Sequence, residues 1–195
     1  AWLRRARRRC SGVALEAVTP EMRYQSKAVN FGVVYGISAF GLSRNLGIST
    51  QEAARFIEAY FALYPGVRKW LDDTLELARQ QGYVTTILDR RRYLPELKSS
   101  DRNVRGASER MAINTPVQGS AADIIKLAMI RLDTALGGLD ARLLLQVHDE
   151  LVVEARAGMA EAVAETMRNI METAVPLEAP LKVDVGIGNN WAEIH

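Results

Sequence analysis

The chain has 195 residues, 48% of them hydrophobic and 25% charged, with a formal net charge of +2. This is enough apolar material for one domain or two small ones with a real core, and no apolar run approaches the ~20 residues that span a bilayer. Five arginines crowd residues 1–10, where a secretory signal would need an apolar stretch. Cys10 is the single cysteine, which excludes an internal disulfide and fits a reducing cytoplasm.

Charge is unevenly spread. Residues 20–110 carry 14 basic and 10 acidic side chains, whereas residues 111–195 carry 6 and 12. The first stretch suits anions and the second a cation, although such asymmetry also arises without function.

Residues 1–18 lack periodicity and read as a disordered or foreign basic tail; a basic tail also suits nucleic acid. Thr19-Pro20-Glu21 then starts a helix, with Thr19 as cap and Pro20 in the first turn, running to about Gly36. Further helices are expected over 50–64, with Ser49 or Thr50 as cap, and over 66–81. Residues 82–95 read as a small β-hairpin turning near Asp89 and Arg90. A polar loop at 98–103 leads into a helix ending at Asn114, and Pro116 interrupts the pattern. It resumes over 120–136, where Ser120 and Asp123 have the spacing of a capping box. Two buried strands, 142–147 and 150–154, flank His148-Asp149. A helix over 160–175 lines up Val163, Met167, Ile170 and Met171, and Leu181, Val183, Val185 and Ile187 alternate as a last strand. No internal repeat is present.

Arg23, Lys27, Phe31 and Tyr35 recur every four residues and so share one helical stripe. Two readings fit. The cations meet a polyphosphate and the aromatics stack on a base or abut a sugar, or the cations are solvated and the aromatics are core. Gly32 and Gly36 each cost a helix roughly 1 kcal/mol relative to alanine, so a close approach by a ligand or strand should compensate.

The segment Gln146-Val-His148-Asp149-Glu150-Leu breaks a local rule. Two-residue hairpin turns favour Asn-Gly or similar pairs, because positive φ is needed there, and a broken rule between good strands marks function. A carboxylate on such a tip suits Mg²⁺, which takes oxygen ligands and substrate phosphates; a solvated polar turn is the alternative. Arg110, Asn114 and Gln118 also repeat every four residues on an otherwise apolar helix. They suit the minor groove, whose acceptors recur at every base pair, or simply cap and solvate the chain near Pro116.

The residues themselves go further than their spacing. Arg23-Tyr-Gln-Ser-Lys27-Ala-Val-Asn-Phe31-Gly-Val-Val-Tyr35-Gly36 resembles motif B of family A DNA polymerases, the bacterial DNA polymerase I type. The His148-Asp149-Glu150 segment resembles their motif C, and residues 109–123 resemble their template- and primer-contacting helix. The likeness runs from about Gly12 to His195. It implies an α+β fold, with a helical fingers subdomain over 19–107 and the C-terminal part of an antiparallel-sheet palm over 108–195. The activity implied is template-directed nucleotidyl transfer from a dNTP to a DNA primer, with Mg²⁺. Arg23 and Lys27 would bind the triphosphate, Phe31 would pack on sugar and base, and Tyr35 would sit at the templating position. Asp149 would ligate metal, Glu150 would assist, His148 would meet the primer end, and Arg110, Asn114 and Gln118 would hold DNA. Two positions depart from the pattern: Tyr24 stands where relatives often have arginine, and Asp89 where they usually have glycine.

Motif A, the family's other aspartate-bearing palm strand, is expected upstream of the fingers helix. Here the first aspartate is Asp72. The resemblance therefore implies a C-terminal fragment that works as a monomer or with the N-terminal part, and that is inactive alone. A non-catalytic nucleotide- or nucleic-acid-binding fragment is the competing reading.

Overall fold

Thr19 caps the first helix as its place before Pro20 predicts: the Met22 N–H donates to its Oγ1 at 3.2 Å. The computed structural model describes residues 19–194, so the tail reading for 1–18 lies outside it. Helix α1 spans Pro20–Val34. α2 follows at Ala39–Leu46, capped by Ser38 and ended by left-handed Gly47. Sequence periodicity gives no element here, because eight residues are shorter than the window in which a helical period is visible. α3 spans Thr50–Leu63. Its Ser49–Glu52 capping box is closed in both directions, with Ser49 N–H to Glu52 Oε2 at 3.0 Å and Glu52 N–H to Ser49 Oγ at 3.2 Å. The Ser49 hydroxyl, which donates to Glu52 Oε2 at 2.7 Å, and then the Ser49 backbone N–H hold the Glu52 carboxyl below its usual range. α4 is Pro65–Gln81 and stops at left-handed Gly82.

Strands β1 (Tyr83–Thr85) and β2 (Arg91–Tyr93) pair antiparallel, Tyr83 opposite Tyr93. A 3₁₀ turn at Pro95–Lys98 leads to α5, Arg102–Asn114, capped by Asp101. Ala78, Val84, Leu94, Leu97 and Ala112 form the buried cluster that joins α4, the hairpin and α5.

By its internal contacts the chain divides into two units. One runs to Thr85 and takes in Asp89–Val117; the other holds Thr86–Leu88 and everything from Gln118. In the second unit, α6 (Ser120–Leu136), the strands β3 (Ala141–Val147) and β4 (Glu150–Ala155), and α7 (Ala160–Glu172) surround one core. Leu132, Leu136, Leu151 and Val163 are its buried centre, and Met167, Ile170 and Met171 pack on it from the α7 face that the sequence lines up. The architecture is α+β, helices with two small two-stranded antiparallel sheets among the described residues.

Three local expectations are corrected. Ser120 and Asp123 make no capping box, because a π turn at Thr115–Gly119 carries α5 straight into α6 and leaves no helix start to cap. Instead Ser120 Oγ accepts from the Ile87 N–H at 2.8 Å, and buried Asp123 accepts from Thr86 Oγ1 at 2.5 Å. Nor are β3 and β4 buried throughout. A register shift between Leu143 and Leu145 marks a bulge, and Leu144 and Leu145 are 49% and 43% exposed. Finally, Leu181, Val183 and Val185 do alternate half-buried against exposed neighbours, but no described strand pairs with them. Alternation specifies a face, whereas a ladder also needs a partner.

Candidate active site

On α1 the middle of the stripe points outward. Lys27 and Phe31 are exposed, and Phe31 and Tyr35 stack with ring centroids 6.4 Å apart at 20°. The opposite face is the buried one: Val33 is 2% exposed, and Asn30 turns back to donate to the Ser26 carbonyl at 2.9 Å. A 51%-exposed Phe31 beside a lysine one turn away is not core packing, so the reading of these aromatics as core fails at Phe31. Arg23 lies on the same helix a further turn back.

The two glycines are explained by the chain itself. Gly36 has φ of 72° and follows the helix end. Its N–H donates to the Val33 carbonyl at 3.0 Å, and the Ile37 N–H donates to the Gly32 carbonyl at 2.8 Å. That pair of bonds is a Schellman cap. A Cβ on Gly36 would lie 3.3 Å from Ile113 Cδ1 and 3.9 Å from Arg110 Cγ. The end of α1 thus rests on α5 beside Arg110, and the close approach inferred from glycine is made by protein side chains.

Arg110 and Gln118 are exposed, and Asn114 is half-buried with its Oδ1 unpartnered. Pro116 has no N–H to donate, and the wider π turn accommodates it. Because that turn separates Asn114 from Gln118, the every-four stripe does not continue as an α-helical stripe beyond Asn114.

At the β3–β4 turn the last ladder pair is Val147 opposite Glu150, leaving His148 and Asp149 as the two turn residues. His148 has φ of 54°, while Asp149 is absent from the positive-φ residues. Only the first central residue is left-handed, as in type II′ turns, where glycine normally stands. Gln146 Nε2 donates to the His148 carbonyl at 2.8 Å and fastens the turn across its own base. His148, Asp149 and Glu150 are all exposed. Sequence reading gave Gln146 no role; a polar side chain two residues before the turn, on an otherwise apolar strand, was its only signal.

The acidic turn fits Mg²⁺ in a limited sense. Two adjacent carboxylates supply hard oxygen ligands, and Mg²⁺ is often held by one or two carboxylates, with water and phosphate completing its shell. No group of three or more His, Cys, Asp or Glu side chains among the described residues forms a closed cage.

The family model for DNA polymerase family A matches residues 4–193. DNA polymerase I from Bacillus caldotenax is 56% identical over 181 residues, 92% of this chain and 21% of that protein. The thermostable DNA polymerase I of Thermus aquaticus is 54% identical over 180 residues, 92% of this chain and 22% of that protein. Among solved structures, the polymerase domain of Pol1 from M. smegmatis, complexed with DNA primer-template and dNTP, superposes with a TM-score of 0.94 at 48% identity. The match covers 100% of this chain and 35% of that one. The chain belongs to DNA polymerase family A. It spans about a fifth of the length of the curated relatives it matches.

Proposed function

We propose that this chain is the fingers and C-terminal palm portion of a DNA-dependent DNA polymerase, with the subdomain boundary near residue 107. The exposed pair Lys27 and Phe31 carries the reading: a cation and a ring face solvent one turn apart on α1, and Phe31 stacks on half-buried Tyr35 at the helix end. Arg23 and Lys27 bind the triphosphate of an incoming dNTP, Phe31 bounds its sugar and base, and Tyr35 occupies the templating position. Arg110, Asn114 and Gln118 grip the primer-template, and His148 meets the primer end. Asp149, assisted by Glu150, holds Mg²⁺, which when bound neutralises phosphate charge and favours ionisation of the primer hydroxyl. The solved complex of the M. smegmatis polymerase domain with DNA primer-template and dNTP supports both partners.

Two-metal chemistry needs carboxylates on more than one side of the metal pair, and no aspartate precedes Asp72 in these 195 residues. We therefore propose that a further polymerase segment completes the centre and that the isolated chain does not extend a primer. The test is a chimera in which these residues replace the matching segment of the Thermus aquaticus enzyme. The chimera should extend a primer and the isolated chain should not. A charge-assisted phosphate contact is worth about 1.5–3 kcal/mol, so Lys27→Ala should lower kcat/KM for dNTP roughly ten- to a hundredfold. Unchanged kinetics in that variant would assign the stripe to solvent, and DNA binding without extension by the chimera would favour a non-catalytic module.

A further inference from the structure

Ile37 occupies an unusual seat. It is the second residue beyond the cap residue in the Schellman cap of α1, where an apolar side chain commonly touches the third or fourth residue from the end of the helix. Here that residue is Gly32, so the contact falls on bare backbone: a Cβ on Gly32 would lie 2.8 Å from Ile37 Cγ2. The same side chain also meets the next helix. A Cβ on Gly41, in the first turn of α2, would lie 3.0 Å from Ile37 Cγ1. Gly41 is itself fixed, because its N–H donates to the Ser38 Oγ cap at 3.1 Å. One β-branched side chain, restricted at χ1, is thus wedged between a glycine on α1 and a glycine on α2. Neither glycine is in the left-handed region, so space rather than backbone freedom accounts for both.

We propose that Ile37 is a positioning residue: a wedge that fixes the angle between α1 and α2 and so fixes where Lys27, Phe31 and Tyr35 are presented. The functional half of this inference rests on the reading of α1 as the nucleotide helix. Gly32 lies directly beside Phe31 and one turn before Tyr35, so a change in the seat of Ile37 is felt first at the stacked pair. A smaller residue at 37 leaves the cap hydrogen bonds intact, because they are made by backbone, but removes the wedge. An alanine at 32 does the reverse, pushing a wedge that has nowhere to go.

Two measurements on the full 195-residue chain separate positioning from mere stability. In a Cys10→Ser background, spin labels are placed on cysteines introduced at Tyr24 in α1 and Glu58 in α3, both exposed, and their distance distribution is recorded. It should be narrow in the parent, at least twofold broader in Ile37→Ala, and close to the parent in Ile37→Val. Gly32→Ala should shift the distribution in the parent but not in the Ile37→Ala background, where the clashing methyl groups are gone. Mg²⁺·dTTP is then titrated while the Phe31 and Tyr35 ring resonances are followed. Ile37→Ala should weaken binding about tenfold and Ile37→Val less than twofold. An unchanged distance distribution in Ile37→Ala overturns the inference, as does a broadened one with unaltered dTTP affinity. Failure of the parent chain to bind dTTP overturns the nucleotide reading instead, while the label distances still judge the wedge. Should Ile37→Ala not fold, Gly32→Ala with and without Ile37→Val decides the same point.

Discussion

The two hairpins of this chain each place one non-glycine residue in the left-handed region, Asp89 at φ 59° and His148 at φ 54°, yet they are held in opposite ways. The β1–β2 loop is tied down from outside its own strands: Thr86 donates to buried Asp123, and the Ile87 N–H donates to Ser120. The β3–β4 turn is fastened from its own strand, by Gln146 donating to the His148 carbonyl two residues on, and it leaves His148, Asp149 and Glu150 on the surface. In the first hairpin the polar side chains serve the fold. In the second the turn tolerates an unfavourable conformation, and its polar side chains lie at the surface. Left-handed φ is therefore common to both turns, and what separates them is the direction in which the neighbouring polar groups are engaged.

The sharpest break of this comparison is Asp149→Ala. In the chimera with the Thermus aquaticus enzyme it should lower the rate of dNTP incorporation by at least about a thousandfold, since metal-borne charge stabilisation is worth several kcal/mol. Unfolding of the isolated chain in urea should move by no more than about 0.5 kcal/mol, as for other exposed positions. A large loss of stability would mean that this turn, like the first, is built around its carboxylate.

The reverse result is expected at the β1–β2 loop. Thr86→Val keeps the shape and removes the hydroxyl that donates to Asp123, a side chain only 3% exposed. Leaving a buried acceptor short of a donor costs about 1–3 kcal/mol. The urea midpoint of the isolated chain should fall accordingly, with incorporation by the folded chimera changed less than twofold. A normal midpoint would show that the loop is not anchored through this bond.

Much of this contrast was legible from sequence, and the exceptions share a cause. Thr19-Pro20, the cap at Ser49 or Thr50 (Ser49 in the event), and the two hairpins are local signals whose partners lie within a few residues, and each forms where the residues predict. The seat of Thr86 and Ser120 was not legible, because it joins positions 37 and 33 residues apart. Ser120-x-x-Asp123 carried the spacing of a capping box, but the helix does not begin there. The exposed leucines of β3 follow from a bulge that leaves no mark in an all-apolar run. At the candidate site the stripe on α1 and the acidic turn were visible as residue types at fixed positions. Ile37 was not, since its meaning lies in two glycines that receive it from different helices.

At His148 the two demands of the second turn oppose each other. A left-handed conformation costs an L-residue roughly 1–2 kcal/mol, while glycine loses about 0.5–1 kcal/mol more backbone entropy on folding. His148→Gly should therefore stabilise the isolated chain by about 0.5–1 kcal/mol in urea unfolding while reducing incorporation by the chimera, because the side chain proposed to meet the primer end is gone. Gains in both quantities would remove His148 from the site.

The smallest expected effect closes the comparison from the other side. Asp89 has the same sign of φ as His148, but its short polar side chain tolerates this region better than most, and the loop around it is anchored by Thr86 and Ile87. Replacing it with glycine relieves less strain and incurs the same entropy, so the two contributions nearly cancel. Asp89→Gly should leave the stability of the isolated chain within about 0.5 kcal/mol, measured by urea unfolding, and incorporation by the chimera within twofold. The discriminating quantity is the difference between the two glycine variants. Were Asp89→Gly to stabilise as strongly as His148→Gly, residue type would not be setting the strain at these turns. Were it to impair incorporation, the β1–β2 loop would have a part in the reaction that its anchoring does not suggest. A near-neutral result at Asp89 beside a stabilising but less active His148→Gly means that the chain keeps strain only where an exposed side chain needs it.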